Sequence, residues 1–277
     1  MKKVLMRKFD LVNFSKYRTE LMGLAIILVV FHHLTFKSNS SLIGKGYMFF
    51  RVTGAMGVDM FLFLSGIGLF YSYSRNSNII MFYKKRVLRI IPTYLIICAP
   101  FYAYTYLIGQ SMNVKEFFLH LTLVSYWVNG TGDWYIAAII ILYILFPLFN
   151  KIINKNGIFG FLLLIFIWSM ICLFLVFLFP NLFHNTETFW PRIPIFIFGI
   201  YIGQLILNKR QVNGWVLINS ILANIIILGI EAYYCLQGAE AAYSFWPRLF
   251  YFPLSISFIF IVCYIFDSWS LVKLKKV

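Results

Sequence analysis

The stretch Phe117-Phe118-Leu119-His120-Leu121-Thr122-Leu123-Val124-Ser125-Tyr126-Trp127-Val128, closed by Asn129-Gly130-Thr131-Gly132, decides how this chain is threaded. It is apolar but short. A helix rising about 1.5 Å per residue needs roughly 17 to 25 residues to cross a bilayer's hydrocarbon. Seven or eight other runs qualify, near residues 19–36, 55–74, 90–109, 133–150, 158–179, 192–207, 215–235 and 247–267. Cytoplasmic loops carry the excess of Lys and Arg, so the basic residues test whether 117–128 also crosses. If it does not, eighteen basic residues fall on one side and six on the other. If it does, every later run flips and the split becomes thirteen to eleven, almost no bias. The expectation is therefore an all-α polytopic transmembrane helix bundle, with about eight spanning helices and one short re-entrant or interfacial helix. Both termini are expected on the cytoplasmic side of the cell membrane.

Composition agrees with a membrane protein. Of 277 residues, 61% are hydrophobic and 12% charged, and mean hydropathy is +0.83. Soluble domains are about half apolar and a quarter charged, so one aqueous core could not hide this surplus. The net charge of +15 is then chiefly an orientation signal, and nucleic acid is not an expected partner. Cys98, Cys172, Cys235 and Cys263 lie in apolar stretches without CxxC or metal-ligand spacing, and read as inert packing residues. Neither a metal nor a bound cofactor is expected. The basic N-terminal stretch leads into a retained first helix, with no small-residue cleavage site after it.

Ionisable side chains inside apolar helices are costly and mark candidate sites. His32 and His33 close the first run, and Asp59 lies near the matching end of the second. Asp133 and Trp134 open the run from 133, while Arg192 and Arg248 open two later ones. All fall on the expected outer side. A histidine oriented by a carboxylate can take the proton of a hydroxyl and so activate an alcohol. Phe189-Trp190-Pro191-Arg192 recurs as Phe245-Trp246-Pro247-Arg248, which fits either interfacial anchoring or a duplicated substrate-facing arginine. On the expected cytoplasmic side, the loop Phe82 to Pro92 sets Lys84, Lys85, Arg86 and Arg89 just before a span. These residues are topology signals. On a helix Arg86 and Arg89 would also share a face able to bind phosphate.

Three motifs in order carry a resemblance over nearly the whole chain. They are Leu21-Met22-Gly23-Leu24-Ala25-Ile26-Ile27-Leu28-Val29-Val30-Phe31-His32-His33, Gly57-Val58-Asp59 to Leu64-Ser65-Gly66, and Arg86-Val87-Leu88-Arg89-Ile90-Ile91-Pro92. Gly132-Asp133-Trp134-Tyr135 and Arg192 to Gly199 add to them. The chain resembles the integral-membrane acyltransferase 3 family, which moves acyl groups from cytoplasmic acyl-CoA to sugar hydroxyls. That resemblance implies a single membrane-embedded acyltransferase domain over residues 1–277, ending short of one or two helices that members usually carry. It also implies His33, or its neighbour His32, as the catalytic base with Asp59 orienting it. Arg18, Lys85, Arg86 and Arg89 would meet the donor, and Asp133, Trp134, Arg192 and Arg248 the acceptor. The family's Arg eleven positions before the histidine is Met22 here. Arg18, about 60° from the face of His33, is the substitute.

The leading expectation is thus an O-acyltransferase, an O-acetyltransferase by preference, modifying a cell-surface or lipid-linked carbohydrate with acyl-CoA as co-substrate. The alternative is a polysaccharide or lipid-linked sugar transporter, built on the Gly/Pro-interrupted helices near 192–203 and 247–253. A third reading is an inactive partner in glycan assembly.

Overall fold

The computed structural model describes residues 8–34, 42–109 and 112–274. Strand β1 (Phe9–Asp10) precedes α1 (Arg18–His33), α2 (Leu42–Gly54) and α3 (Met56–Arg75). There follow α4 (Ile79–Leu107), α5 (Val114–Leu121), α6 (Val124–Asn129), α7 (Trp134–Asn156), α8 (Ile158–Leu178) and α9 (Pro180–Asn185). A short 3-10 turn, Trp190–Arg192, leads into α10 (Ile193–Leu207), then β2 (Gln211–Val212), α11 (Trp215–Gln237), α12 (Ala239–Ala242) and α13 (Phe245–Leu274).

Among the described residues, 7 helical segments are long and apolar enough to cross a membrane: Gly44–Arg75, Ile79–Leu107, Trp134–Asn156, Ile158–Leu178, Trp190–Leu207, Trp215–Gln237 and Phe245–Trp269. The remaining expected span is α1, apolar but only 16 residues long. Its expected end at 36, and Lys2, Lys3, Arg7, Lys37, Lys275 and Lys276 of the charge count, lie outside the described residues. The fold is an all-α polytopic bundle. Large apolar side chains such as Phe159, Phe177, Ile80 and Ile225 stand exposed on it, as lipid rather than water requires.

The stretch 117–128 makes two helices of 8 and 6 residues, α5 and α6, too short to span. They are broken at Leu123, whose φ of 64° is left-handed. A capping box starts α5: the Asn113 side chain accepts from the Glu116 N–H, and the Glu116 carboxylate from the Asn113 N–H, each at 2.9 Å. Gly130, at φ 72°, ends α6 where the sequence turns to Asn-Gly-Thr-Gly.

Two boundaries differ from the expectation. The span placed at 55–74 is preceded directly by the helix α2, whose Lys45 and Arg51 depress local hydropathy without breaking the helix. The basic run Lys84 to Arg89, read as a loop, lies inside α4. That helix starts at the N-cap Asn78, whose side chain accepts from the Met81 N–H at 2.9 Å.

The chain forms two compact units, one of residues up to Gly68 together with those from Pro194, the other Leu69–Ile193. In the first, glycines let helix backbones touch. A Cβ on Gly54 would lie 2.6 Å from the Leu28 carbonyl oxygen, and one on Gly57 2.5 Å from that of Ala25, so α2 and the start of α3 lie directly on α1. Gly199 of α10 meets the Phe63 carbonyl of α3 in the same way, so this glycine packs helices within one chain. Helices α2, α11 and α13 share a core that includes Val52, Met56, Ile227, Tyr251 and Leu254. β1 pairs antiparallel with β2, tying the N-terminal segment to the α10–α11 connection. In the second unit, α7 and α8 form a hairpin through Gly157, at φ 56°, and α5 and α7 pack on α4.

Candidate functional site

In the first unit, α1 ends on the histidine pair, with His32 half-buried and His33 exposed. The His32 Nδ1 lies 2.8 Å from the Arg51 carbonyl oxygen on α2, and the His33 Nδ1 2.8 Å from the Val29 carbonyl one turn back. A carbonyl only accepts, so each Nδ1 carries a proton and, in a neutral ring, each Nε2 keeps its lone pair. That tautomer suits a general base. Arg51 returns the contact, its Nε donating to the His32 carbonyl at 3.1 Å. Its guanidinium lies 5.8 Å from the centre of the Tyr243 ring, which the His32 ring meets edge-on at 6.3 Å. Burial pushes the Tyr243 phenol above the ordinary tyrosine range, while the charges of Arg51 and Arg248 oppose the shift. Arg248, itself half-buried, therefore belongs to this same end.

Asp59 is fully buried, but deeper. Gly54 lies against the Leu28 carbonyl and the backbone of His32, whereas Gly57 lies against the Ala25 carbonyl, three positions before Leu28 and about 4.5 Å down the axis of α1. Asp59 follows Gly57 inward, and the atoms that hold the two Nδ1 positions are the carbonyls of Arg51 and Val29. Arg18 starts α1, about 22 Å along the axis from His33, with its guanidinium against Gly68 of α3.

The second unit gathers Asp133, Trp134 and Arg192. The Arg192 guanidinium lies over the Trp134 ring at 4.6 Å and donates to the Thr188 carbonyl, with the residue only 4% exposed. Its repeat counterpart Arg248 sits in the other unit, so the two Phe-Trp-Pro-Arg copies have different surroundings. The Tyr102 hydroxyl donates to the Asp133 Oδ2 at 2.6 Å. Beside that pair lies His120 of α5, its ring 5.1 Å from that of Tyr102 and its Nε2 3.3 Å from the buried Ser125 hydroxyl. Gly132, at φ 102°, sits where a Cβ would come within 2.9 Å of the His120 Nδ1.

Elsewhere in this unit Arg86 is half-buried and donates to the Ser72 hydroxyl at 3.0 Å, with the Phe82 ring 5.3 Å away. It borders an apolar groove of about 340 Å³ between α4 and α7, lined by Tyr83, Val87, Ile91, Ile140, Tyr143 and Ile144 among others. Lys85 and Arg89 are exposed on the same helix. Among the described residues no group of three or more His, Cys, Asp or Glu side chains is placed to hold a metal ion.

A family profile described as an acyltransferase domain matches residues 21–277. The chain belongs to the acyltransferase 3 family. No curated protein and no solved structure gives a match. The acyltransferase is a multi-pass membrane enzyme that transfers acyl groups other than aminoacyl groups.

Four residues of this acyltransferase's polar clusters escaped the sequence reading: Arg51, Tyr243, His120 and Glu231. Arg51 was counted only as an outer-loop charge, because α2 does not read as a span. Tyr243 and His120 lie in short connecting helices or turns, where periodicity carries no signal. Glu231 did leave one, a lone carboxylate inside the apolar run 215–235.

Proposed function

We propose that this acyltransferase takes an acyl group, acetyl by preference, from cytoplasmic acyl-CoA and transfers it to a hydroxyl of a cell-surface or lipid-linked carbohydrate. The observation that carries the reading is the histidine pair, whose Nδ1 atoms both lie on backbone carbonyls, so that each neutral ring carries its basic lone pair on Nε2. One of them takes the acceptor hydroxyl's proton as its oxygen attacks the thioester carbonyl. The carbon–sulfur bond then breaks, and the thiolate leaves with that proton as free CoA. His33 occupies the motif position of the family's catalytic histidine, and His32 the more enclosed place.

The donor's phosphates bind at Arg86, with Lys85 and Arg89 exposed on the same helix and Arg18 a further contact. The apolar groove beside Arg86 suits the uncharged arm of the donor. Trp134 stacks on a sugar ring, while Asp133 and Arg192 engage acceptor polar groups. The protein lies in the cell membrane with both termini cytoplasmic. The antiparallel pairing of β1 with β2 supports this, since it joins two segments that both carry basic residues, Lys8 and Lys209-Arg210.

His33→Ala and His32→Ala proteins that insert normally are compared by mass spectrometry of the isolated carbohydrate. Loss of the ester in either variant identifies the base. Undiminished acylation in both variants and in the double variant would remove the histidines from the mechanism.

A further inference from the structure

Glu231 is fully buried, less than two turns before the end of α11, and among the described residues neither of its carboxyl oxygens has a hydrogen-bond partner. The opposite face of this helix is exposed and apolar at Leu222, Ile225 and Ile226, as lipid contact requires. Glu231 faces inward instead. Ile227 and Cys235, one turn to either side of it, both belong to the core shared with Val52, Ala55, Met56 and Tyr251.

Its depth follows from the topology. α11 and α13 are antiparallel neighbours joined through α12, and Glu231 precedes the end of α11 by as many residues as Tyr251 follows the start of α13. Both therefore lie in one layer. Val52, in the same core, adjoins Arg51, whose carbonyl holds His32. The hydroxyl of Tyr243, in contact with the His32 ring, is likewise buried without a hydrogen-bond partner. The layer next to the candidate base thus contains a carboxylate and a phenol whose hydrogen bonds are unmade. Such groups are expensive in a membrane interior and mark a site where something else completes them.

Resting on the reading given under Proposed function, we propose that Glu231 binds the acceptor, accepting hydrogen bonds from hydroxyls of its sugar close to the one that reacts. A carboxyl group accepts from sugar hydroxyls through its oxygens and, when neutral, donates through its O–H as well. A cationic ligand fits less well, because Arg51 and Arg248 already place two positive charges near Tyr243. The Tyr243 hydroxyl, donor and acceptor together, completes the contact.

Stability and function should therefore separate at this position. Replacing an uncompensated buried carboxylate by an apolar group of similar volume is neutral or stabilising for the fold. Removing a buried hydrogen bond to substrate lowers transfer by about 10- to 100-fold. Glu231→Leu and Glu231→Gln are purified in lipid nanodiscs and compared with the unmodified protein in three readouts: thermal midpoint, calorimetric affinity for acetyl-CoA, and ester on the glycan. The expected result is a midpoint at or above that of the unmodified protein, unchanged acetyl-CoA affinity, and glycan acylation reduced about tenfold or more, further for Leu than for Gln. Full acylation by Glu231→Leu would overturn the assignment. So would acetyl-CoA affinity falling in step with acylation, or failure of both variants to fold, each of which makes Glu231 structural or donor-linked. An unmodified protein that neither binds acetyl-CoA nor acylates glycan would overturn the transferase reading and this assignment with it.

Discussion

Gly54→Ala should disable His32 from a position that carries no chemistry. The added methyl would lie 2.6 Å from the Leu28 carbonyl oxygen and 3.0 Å from the His32 nitrogen, both backbone atoms that no rotamer can move aside. A van der Waals separation of roughly 3.5 Å requires α2 to withdraw from α1 by about 1 Å. The His32 Nδ1 to Arg51 carbonyl bond, now 2.8 Å, then passes the roughly 3.2 Å beyond which such bonds fade, and the imidazole loses its fixed tautomer. Overpacking costs about 1–3 kcal/mol, offset by up to about 1 kcal/mol from alanine's better helix propensity. At about 2–4 °C per kcal/mol, the midpoint in detergent should fall by several degrees. Activity should fall further, by about a hundredfold, because a misplacement of that size is felt by the chemistry. Gly23→Ala is the control: nothing lies within 4 Å of its added methyl, so it should be neutral or slightly stabilising with full activity. Wild-type activity and midpoint in Gly54→Ala would refute the claim that α2 positions His32.

Three further outcomes follow from contacts in the second unit. Tyr102→Phe removes the donor 2.6 Å from the Asp133 carboxylate and should cost about 1–3 kcal/mol, read as a lower thermal midpoint; an unchanged midpoint would mean the bond contributes nothing. Arg192→Lys keeps the charge but loses the flat stacking over Trp134, so about 0.5–2 kcal/mol of stability and part of the glycan acylation should go; full retention would show that charge alone suffices. Arg86→Gln should weaken acetyl-CoA binding by about tenfold in calorimetry, and Arg89→Gln by less, since only Arg86 is half-buried and held by Ser72; equal affinity for both variants and the native protein would move the donor's phosphates elsewhere.

The bundle was legible in the sequence because long apolar runs carry their own signal, and the short stretch 117–128 was legible through the charge balance it imposed. What hydropathy could not show was helix that is apolar on one side only. α2 reads as a polar connection because Lys45 and Arg51 dilute it, and the helical start of α4 is masked by Lys84 to Arg89. The site followed the same rule. The histidines and Arg192 stood out as charges in apolar surroundings, whereas the partners of the histidines are backbone carbonyls, which no sequence pattern marks. Asp59 was paired with the histidines on equal depth, yet the close contacts of Gly54 and Gly57 set it lower along α1.

Acyl transfer, unlike transport, depends on the donor. The protein in lipid nanodiscs is given radiolabelled acetyl-CoA and the glycan of the producing cells, and free CoA and esterified glycan are measured together. Free CoA and ester should appear in equal amounts, and both should be lost when His32 and His33 are replaced by alanine. The contradicting result is movement of glycan across a vesicle membrane with no CoA released and no ester formed, which is the behaviour of a transporter.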